Sequence, residues 1–136
     1  MSKVYLPATF FNKSVRDNND KGDVQIGMVK LGSKSVLLDS GNTSRSLMSL
    51  DCAEHFKFKL NKTGCHAVGV DNRPVVILGE VKDVQFTFDS LPQRIFTEDF
   101  LVIKSMNVDV NLGLKFLEKN ECRVFFTKTA QNKLIL

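Results

Sequence analysis

A chain of 136 residues that is 43% hydrophobic, with eleven Phe and no Trp, carries enough apolar side chain for one packed domain, which excludes a disordered or low-complexity protein. Lys and Arg outnumber Asp and Glu by 19 to 15, and the resulting net charge of +4 is scattered without a basic block or interleaved aromatics, which argues against a nucleic-acid surface. No apolar run approaches the ~20 residues of a bilayer span and no basic-then-apolar leader opens the chain, so a soluble, cytoplasmic protein with no membrane partner is expected, its Cys52, Cys65 and Cys122 reduced.

Val4 to Phe11 is apolar and aromatic and predicts a first strand. Val15 to Asp23, rich in Asn, Asp, Lys and Gly, predicts a loop, so residues 1–22 read as an N-terminal strand followed by a polar loop. Val24, Ile26 and Met28 then alternate with Gln25, Gly27 and Val29, the period of a strand with one buried face. Gly32-Ser33 is expected to turn the chain into a further strand, Val36-Leu37-Leu38, which ends on Asp39 and breaks at once into Ser40-Gly41. A carboxylate at the mouth of an apolar strand is well placed to activate water. Asp, Ser and Gly are equally the residues of an ordinary turn, so the tripeptide alone leaves both readings open.

After the turn, Leu47-Met48 is a short apolar piece, and Leu50 to Phe58 reads as a brief helix or an irregular excursion. Residues 63–81 carry a hairpin signature: Val68-Gly69-Val70 and Val75-Val76-Ile77-Leu78 flank Asp71-Asn72-Arg73-Pro74. Val84, Phe86 and Phe88 alternate with polar residues, and Phe100 to Ile103 is a compact apolar run; both predict strands. Leu114 to Asn120 predicts a short helix opened by Gly113, with Leu114 and Leu117 on one face. Strands dominate, no repeat or linker is visible, and a single mostly-β domain over 1–136 is the economical architecture.

Two segments taken together carry more than either alone. Val36 to Gly41 is followed far downstream by Val108-Asp109-Val110-Asn111-Leu112-Gly113-Leu114-Lys115-Phe116-Leu117, an apolar strand ending in Leu-Gly, then a helix and a final strand pair. In that order the segments resemble the retropepsin-like aspartic proteases: those of retroviruses and retrotransposons, and the protease-like domain of DNA-damage-inducible ubiquitin-shuttle proteins. The resemblance spans roughly Asp23 to Leu136. It implies an all-β, closed retropepsin-like barrel with one short C-terminal helix and one lobe per chain.

It also implies a chemistry. Aspartic proteolysis needs two carboxylates around one water, and this chain has one Asp-Ser-Gly; Asp89-Ser90-Leu91 lacks the glycine. The implied enzyme is therefore a homodimer with Asp39 of each protomer on the two-fold axis, the pair sharing a proton, and a peptide or retroelement polyprotein as substrate. The resemblance implies that Ser40 hydrogen-bonds beneath the carboxylates, Gly41 makes room for substrate backbone, Asn42 lies at the groove wall, and the hairpin is a flap with its tip near Gly69 to Arg73 and Val68, Gly69, Val70 and Asp71 as its substrate-binding residues. The apolar terminal segments Val4 to Phe10 and Leu134 to Leu136 suit either dimer strands or ordinary edge strands.

Departures from the family pattern are specific. Asn42 stands where most members have Ala. The Asp–Arg pair that braces many retroviral members is absent at both ends, Thr43 and Leu114 occupying its positions, which predicts a different brace. Two competing readings follow: a catalytically silent dimerising or peptide-binding module on the same fold, and an unrelated β-sandwich in which Asp39-Ser40-Gly41 is a mere turn. Cys52, His55, Cys65 and His66 are close in sequence, but adjacent Cys65 and His66 would point to opposite faces of a strand and no Cys-x2-Cys knuckle is present; no metal or cofactor is expected.

Overall fold

The alternating pattern resolves into strands joined by two short helices in the computed structural model, which describes residues 3–18, 23–65, 67–70, 73–125 and 133–135, with side chains over 4–12, 27–65 and 73–122. In chain order the elements are β1 (Lys3–Asn18), β2 (Asp23–Asp39), β3 (Leu47–Ser49), α1 (Leu50–His55), β4 (Ala67–Val70), β5 (Arg73–Val76), β6 (Gly79–Phe88), β7 (Leu91–Ile103), β8 (Val110–Gly113), α2 (Leu114–Lys119), β9 (Arg123–Phe125) and β10 (Lys133–Ile135). Six strands close a barrel in the order β1-β2-β8-β3-β7-β6, while β4–β5 and β9–β10 form separate two-stranded sheets.

β1 and β2 are one long antiparallel hairpin, in register from Lys3↔Asp39 to Asn18↔Asp23. The loop expected over Val15 to Asp23 is instead paired strand as far as Asn18 and again from Asp23, with residues 19–22 outside the described residues. Polar composition misled here, because ladder hydrogen bonds satisfy the backbone whatever the side chains are. Gly32-Ser33 does not turn the chain either. Phe10 pairs with Gly32 and Phe11 with Lys30, so Leu31 is an extra residue, and β2 runs on through a bulge. Gly32 has φ +150°, a conformation that favours glycine.

The bulge separates barrel from ribbon. Pairing of β1 with β6 covers only Ala8 to Phe11, and beyond it the hairpin has no third strand beside it among the described residues. Met28 and Val29 are consequently both exposed, at 39% and 48%, and the one-sided burial expected of Val24, Ile26 and Met28 fails at Met28; the other two side chains are outside those described. Val4 to Phe10 is barrel wall, paired with β2 throughout and with β6 over its last residues.

The barrel interior is a phenylalanine cluster. Phe86, fully buried, has the rings of Phe10, Phe88, Phe96, Phe100 and Phe116 around it at centroid distances of 5.4, 5.7, 5.7, 6.5 and 5.7 Å. Each such ring removed from water contributes about 1.5–3 kcal/mol, and edge and offset contacts add to that. Of the stretch Leu50 to Phe58, Leu50–His55 is a helix, α1, whose N-cap Ser49 accepts the Cys52 amide through its hydroxyl. α2 starts at Leu114 as expected and buries Phe116 and Leu117, leaving Leu114 half-exposed.

Candidate active site

Strands β2, β8, β3 and β7 lie side by side, β2 parallel to β8 and β3 parallel to β7. Their alternation sorts residues onto two faces. Val36, Leu38, Met48, Phe100, Val102, Val110 and Leu112 point into the barrel core. Leu47, Leu101 and Ile103 point the other way, into a second apolar cluster completed by Ile77. Leu37, Asp39 and Asn111 also face this second side, where they line one cleft. Burial on both faces is why these strands read as continuous apolar runs.

The parallel pairing of β2 with β8 matches Leu38 with Leu112 and Asp39 with Gly113, so the two segments that carried the family resemblance end side by side. Asp39 is 9% exposed. The turn after it places the Gly41 amide 3.0 Å from Asp39 Oδ1, and the Asn42 amide donates to the Asp39 carbonyl at 3.1 Å. The other carboxylate oxygen, Oδ2, accepts the Asn111 side-chain amide at 3.1 Å. Ser40 is half-buried at the start of the turn.

Asn42 is a brace as much as a wall. Its Nδ2 donates to the Arg45 carbonyl (3.1 Å) and to Asn111 Oδ1 (3.0 Å), while its Oδ1 accepts the Ser44 amide (3.0 Å). Its carbonyl accepts the Leu114 amide at 2.8 Å, tying the loop to the start of α2. That closeness explains the glycine at 113: a Cβ there would sit 3.0 Å from the Asn42 carbonyl oxygen. The requirement is for space, since Gly113 has the ordinary extended angles φ −83° and ψ 176°.

Farther along the loop, the Ser46 hydroxyl accepts the Gly113 amide (3.2 Å) and donates to Glu98 Oε2 (2.9 Å). Arg45 pairs with buried Glu80, which Lys82 also approaches at 3.7 Å. These contacts stand in this chain where Thr43 and Leu114 offer no ion pair. Arg45, Ser46, Glu80 and Glu98 were not singled out from sequence, because the partners lie on β6 and β7 and only barrel closure brings them to the loop.

The cleft over Asp39 has a volume of about 260 Å³. Leu37, Leu47, Ile103, Met106 and Val108 make its apolar walls, Tyr5 and Asn107 stand at its edge, and Val75 reaches it from β5. β5 is half of the expected hairpin: Val68 pairs with Val75, Gly69 with Pro74 and Val70 with Arg73. Asp71 and the side chains of Val68 and Val70 lie outside the described residues. The second strand ends at Val76, and Ile77 turns into the cleft-side cluster.

Cys52 and Cys65 pack on different clusters, Cys52 within the barrel core and Cys65 against the cleft-side group, so they do not converge; His66 lies outside the described residues. Burial pushes the Cys52 thiol up to about 12, with Asp109 adding to the rise and Lys34 opposing it. Burial likewise raises Cys122 to about 11, against the pull of Arg94. Both shifts favour the protonated thiol over the thiolate.

Among known proteins, no family model and no curated protein sequence matches the chain. The barrel, its parallel β2–β8 pair and the Leu-Gly-helix closure define a retropepsin-like fold. A solved counterpart is the retroviral protease-like domain of Ddi1 from Leishmania major, whose crystal structure aligns with 100% of this chain and 96% of its own, with a TM-score of 0.57 and 13% sequence identity. The likeness is one of fold.

Proposed function

We propose that this chain is an aspartic endopeptidase that acts as a homodimer. The observation that carries the reading is Asp39 lining a cleft of mixed apolar and polar walls, each carboxylate oxygen held by its own N–H donor. Two copies of Asp39 around one water supply the chemistry. One ionised carboxylate takes the proton of the attacking water, the other gives its proton to the scissile carbonyl oxygen, and the tetrahedral adduct collapses with the proton passing to the leaving amine. The β4–β5 hairpin, with Val75 at the cleft wall, acts as a flap over the bound peptide and keeps bulk water out.

The substrate we assign is an extended peptide with apolar side chains beside the scissile bond, which suits the walls made by Leu37, Leu47, Ile103 and Met106. Junctions in a retroelement polyprotein have that character, and the cytoplasm is the matching compartment. Among the described residues no helix is long and apolar enough to cross a membrane.

The test is mass-spectrometric detection of cleavage in an unbiased peptide mixture, scanned from about pH 4 to 7.5, with Asp39→Asn as the control. Cleavage by the wild type alone, rising more steeply than linearly with protein concentration, is the expected result. A folded wild type that cleaves nothing at any pH sinks the protease reading and leaves a peptide-binding module.

A further inference from the structure

We propose that Asn111 is a positioning residue for the Asp39 carboxylate, and that Asn42 holds it through a one-way chain of hydrogen bonds. Asn111 interrupts an apolar strand: its neighbours Val110 and Leu112 are both fully buried in the barrel core. Alternation puts Asn111 on the opposite face, the face of Leu37 and Asp39, where its amide reaches Asp39 Oδ2 at 3.1 Å.

The direction of the chain is fixed by backbone groups whose roles admit no choice. The Ser44 N–H can only donate, so the Asn42 atom beside it is the carbonyl oxygen. The Arg45 carbonyl can only accept, so the Asn42 atom beside that one is the amide nitrogen. The same nitrogen meets Asn111, which must therefore turn its oxygen to Asn42 and its NH2 group to Asp39. Neither side-chain amide can flip without setting a donor against a donor or an acceptor against an acceptor.

The Gly41 amide holds Oδ1, and among the described residues Asn111 gives Oδ2 its side-chain amide donor. One hydrogen bond leaves a carboxylate free to swing about its own axis; a second, on the other oxygen, fixes its plane. The loop thus delivers a carboxylate already oriented before substrate arrives, the preorganisation on which catalytic geometry depends. Asn42, at the position where the family resemblance suggested a groove wall, acts through Asn111 and does not touch Asp39 side chain to side chain in the described structure.

The kinetic half of this inference rests on the protease reading; the structural half does not, and the experiment separates them. The first measurement is a pH titration of the 15N-labelled wild-type chain, following the Asn111 side-chain NH2 resonances. They are expected to shift with the ionisation of Asp39 and to lose that titration in Asp39→Asn. Asn111 resonances indifferent to Asp39 overturn the proposal, whether or not the protein cleaves peptides.

The second measurement is steady-state kinetics. Asn111→Leu is expected to lower kcat by about tenfold to a hundredfold, the scale of a misplaced reacting group, with KM within about twofold. Asn42→Ala should fall by a similar factor, and the double variant no further than the worse single one, since both break the same chain. Losses that multiply in the double variant, or a change confined to KM, overturn it and make Asn111 a groove wall. A wild type that cleaves nothing sinks the protease reading, and the titration alone then decides the positioning role.

Discussion

One sheet, two faces: β2, β8, β3 and β7 present Val36, Leu38, Val110, Leu112, Met48, Phe100 and Val102 to the barrel core and Leu37, Asp39, Asn111, Leu47, Leu101 and Ile103 to the cleft side. The core face is chemically uniform and held by dispersion among rings and aliphatic chains, so many contacts share the work. The cleft face mixes apolar walls with two polar groups, each held by specific donors and acceptors at about 3 Å. The difference teaches where each property lives. Stability is spread over the core, whereas the orientation of Asp39 hangs on a handful of directional bonds.

The comparison is broken hardest from the core side. Phe86→Ala removes the ring that Phe10, Phe88, Phe96, Phe100 and Phe116 surround, and should cost about 3–5 kcal/mol in urea unfolding. Turnover per folded molecule should stay near wild type; a selective loss of turnover would mean that the faces are not separable. Gly113→Ala tests the seam between them. Its Cβ would press on the Asn42 carbonyl oxygen, with an expected cost of about 1–3 kcal/mol from overpacking. Because the displaced loop holds the Asp39 carboxylate through the Gly41 amide and through Asn42 and Asn111, cleavage should fall by about a hundredfold, more than the lost stability explains. Equal stability and full activity would show that the loop yields freely.

The smallest effect sharpens the contrast by pH. Half-buried Cys65, on the cleft side, should be alkylated first, and buried Cys52, in the core, last, as timed by mass spectrometry of the folded protein. The folded-state value for Cys52 lies above the ordinary 9.0, so the folded chain keeps a proton that the unfolded chain gives up. Its contribution to stability is intact below pH 9.0 and is lost as pH rises toward about 12. A Cys52→Ala variant should lack that part of the alkaline decline; an unchanged decline would place its origin elsewhere.

Local pattern was legible wherever local pattern was the cause. Val84, Phe86 and Phe88 alternate because β6 has one face in the core, and Gly113-Leu114 opens a helix because the chain leaves β8 there. The pattern misled in two places: residues 15–18 read as loop yet pair as strand, and Met28 alternates like a buried residue yet faces solvent beyond the last β1–β6 pair. Asn111 was in plain view as a polar residue in an apolar strand. Its neighbours in sequence gave no partner for it.

By itself the sequence determined the strand-rich class, the apolar approach to Asp39, the Ser-Gly turn after it and the Leu-Gly-helix block downstream, because strand alternation, turn chemistry and helix initiation act over a few residues. Only the tertiary structure decided that β8 lies parallel to β2, that Gly113 must be small for the sake of Asn42, and that Asn42 and Asn111 share one chain of hydrogen bonds ending on Asp39. Those relations join residues far apart along the chain. They exist only once the barrel has closed and set each side chain within hydrogen-bonding distance of the next.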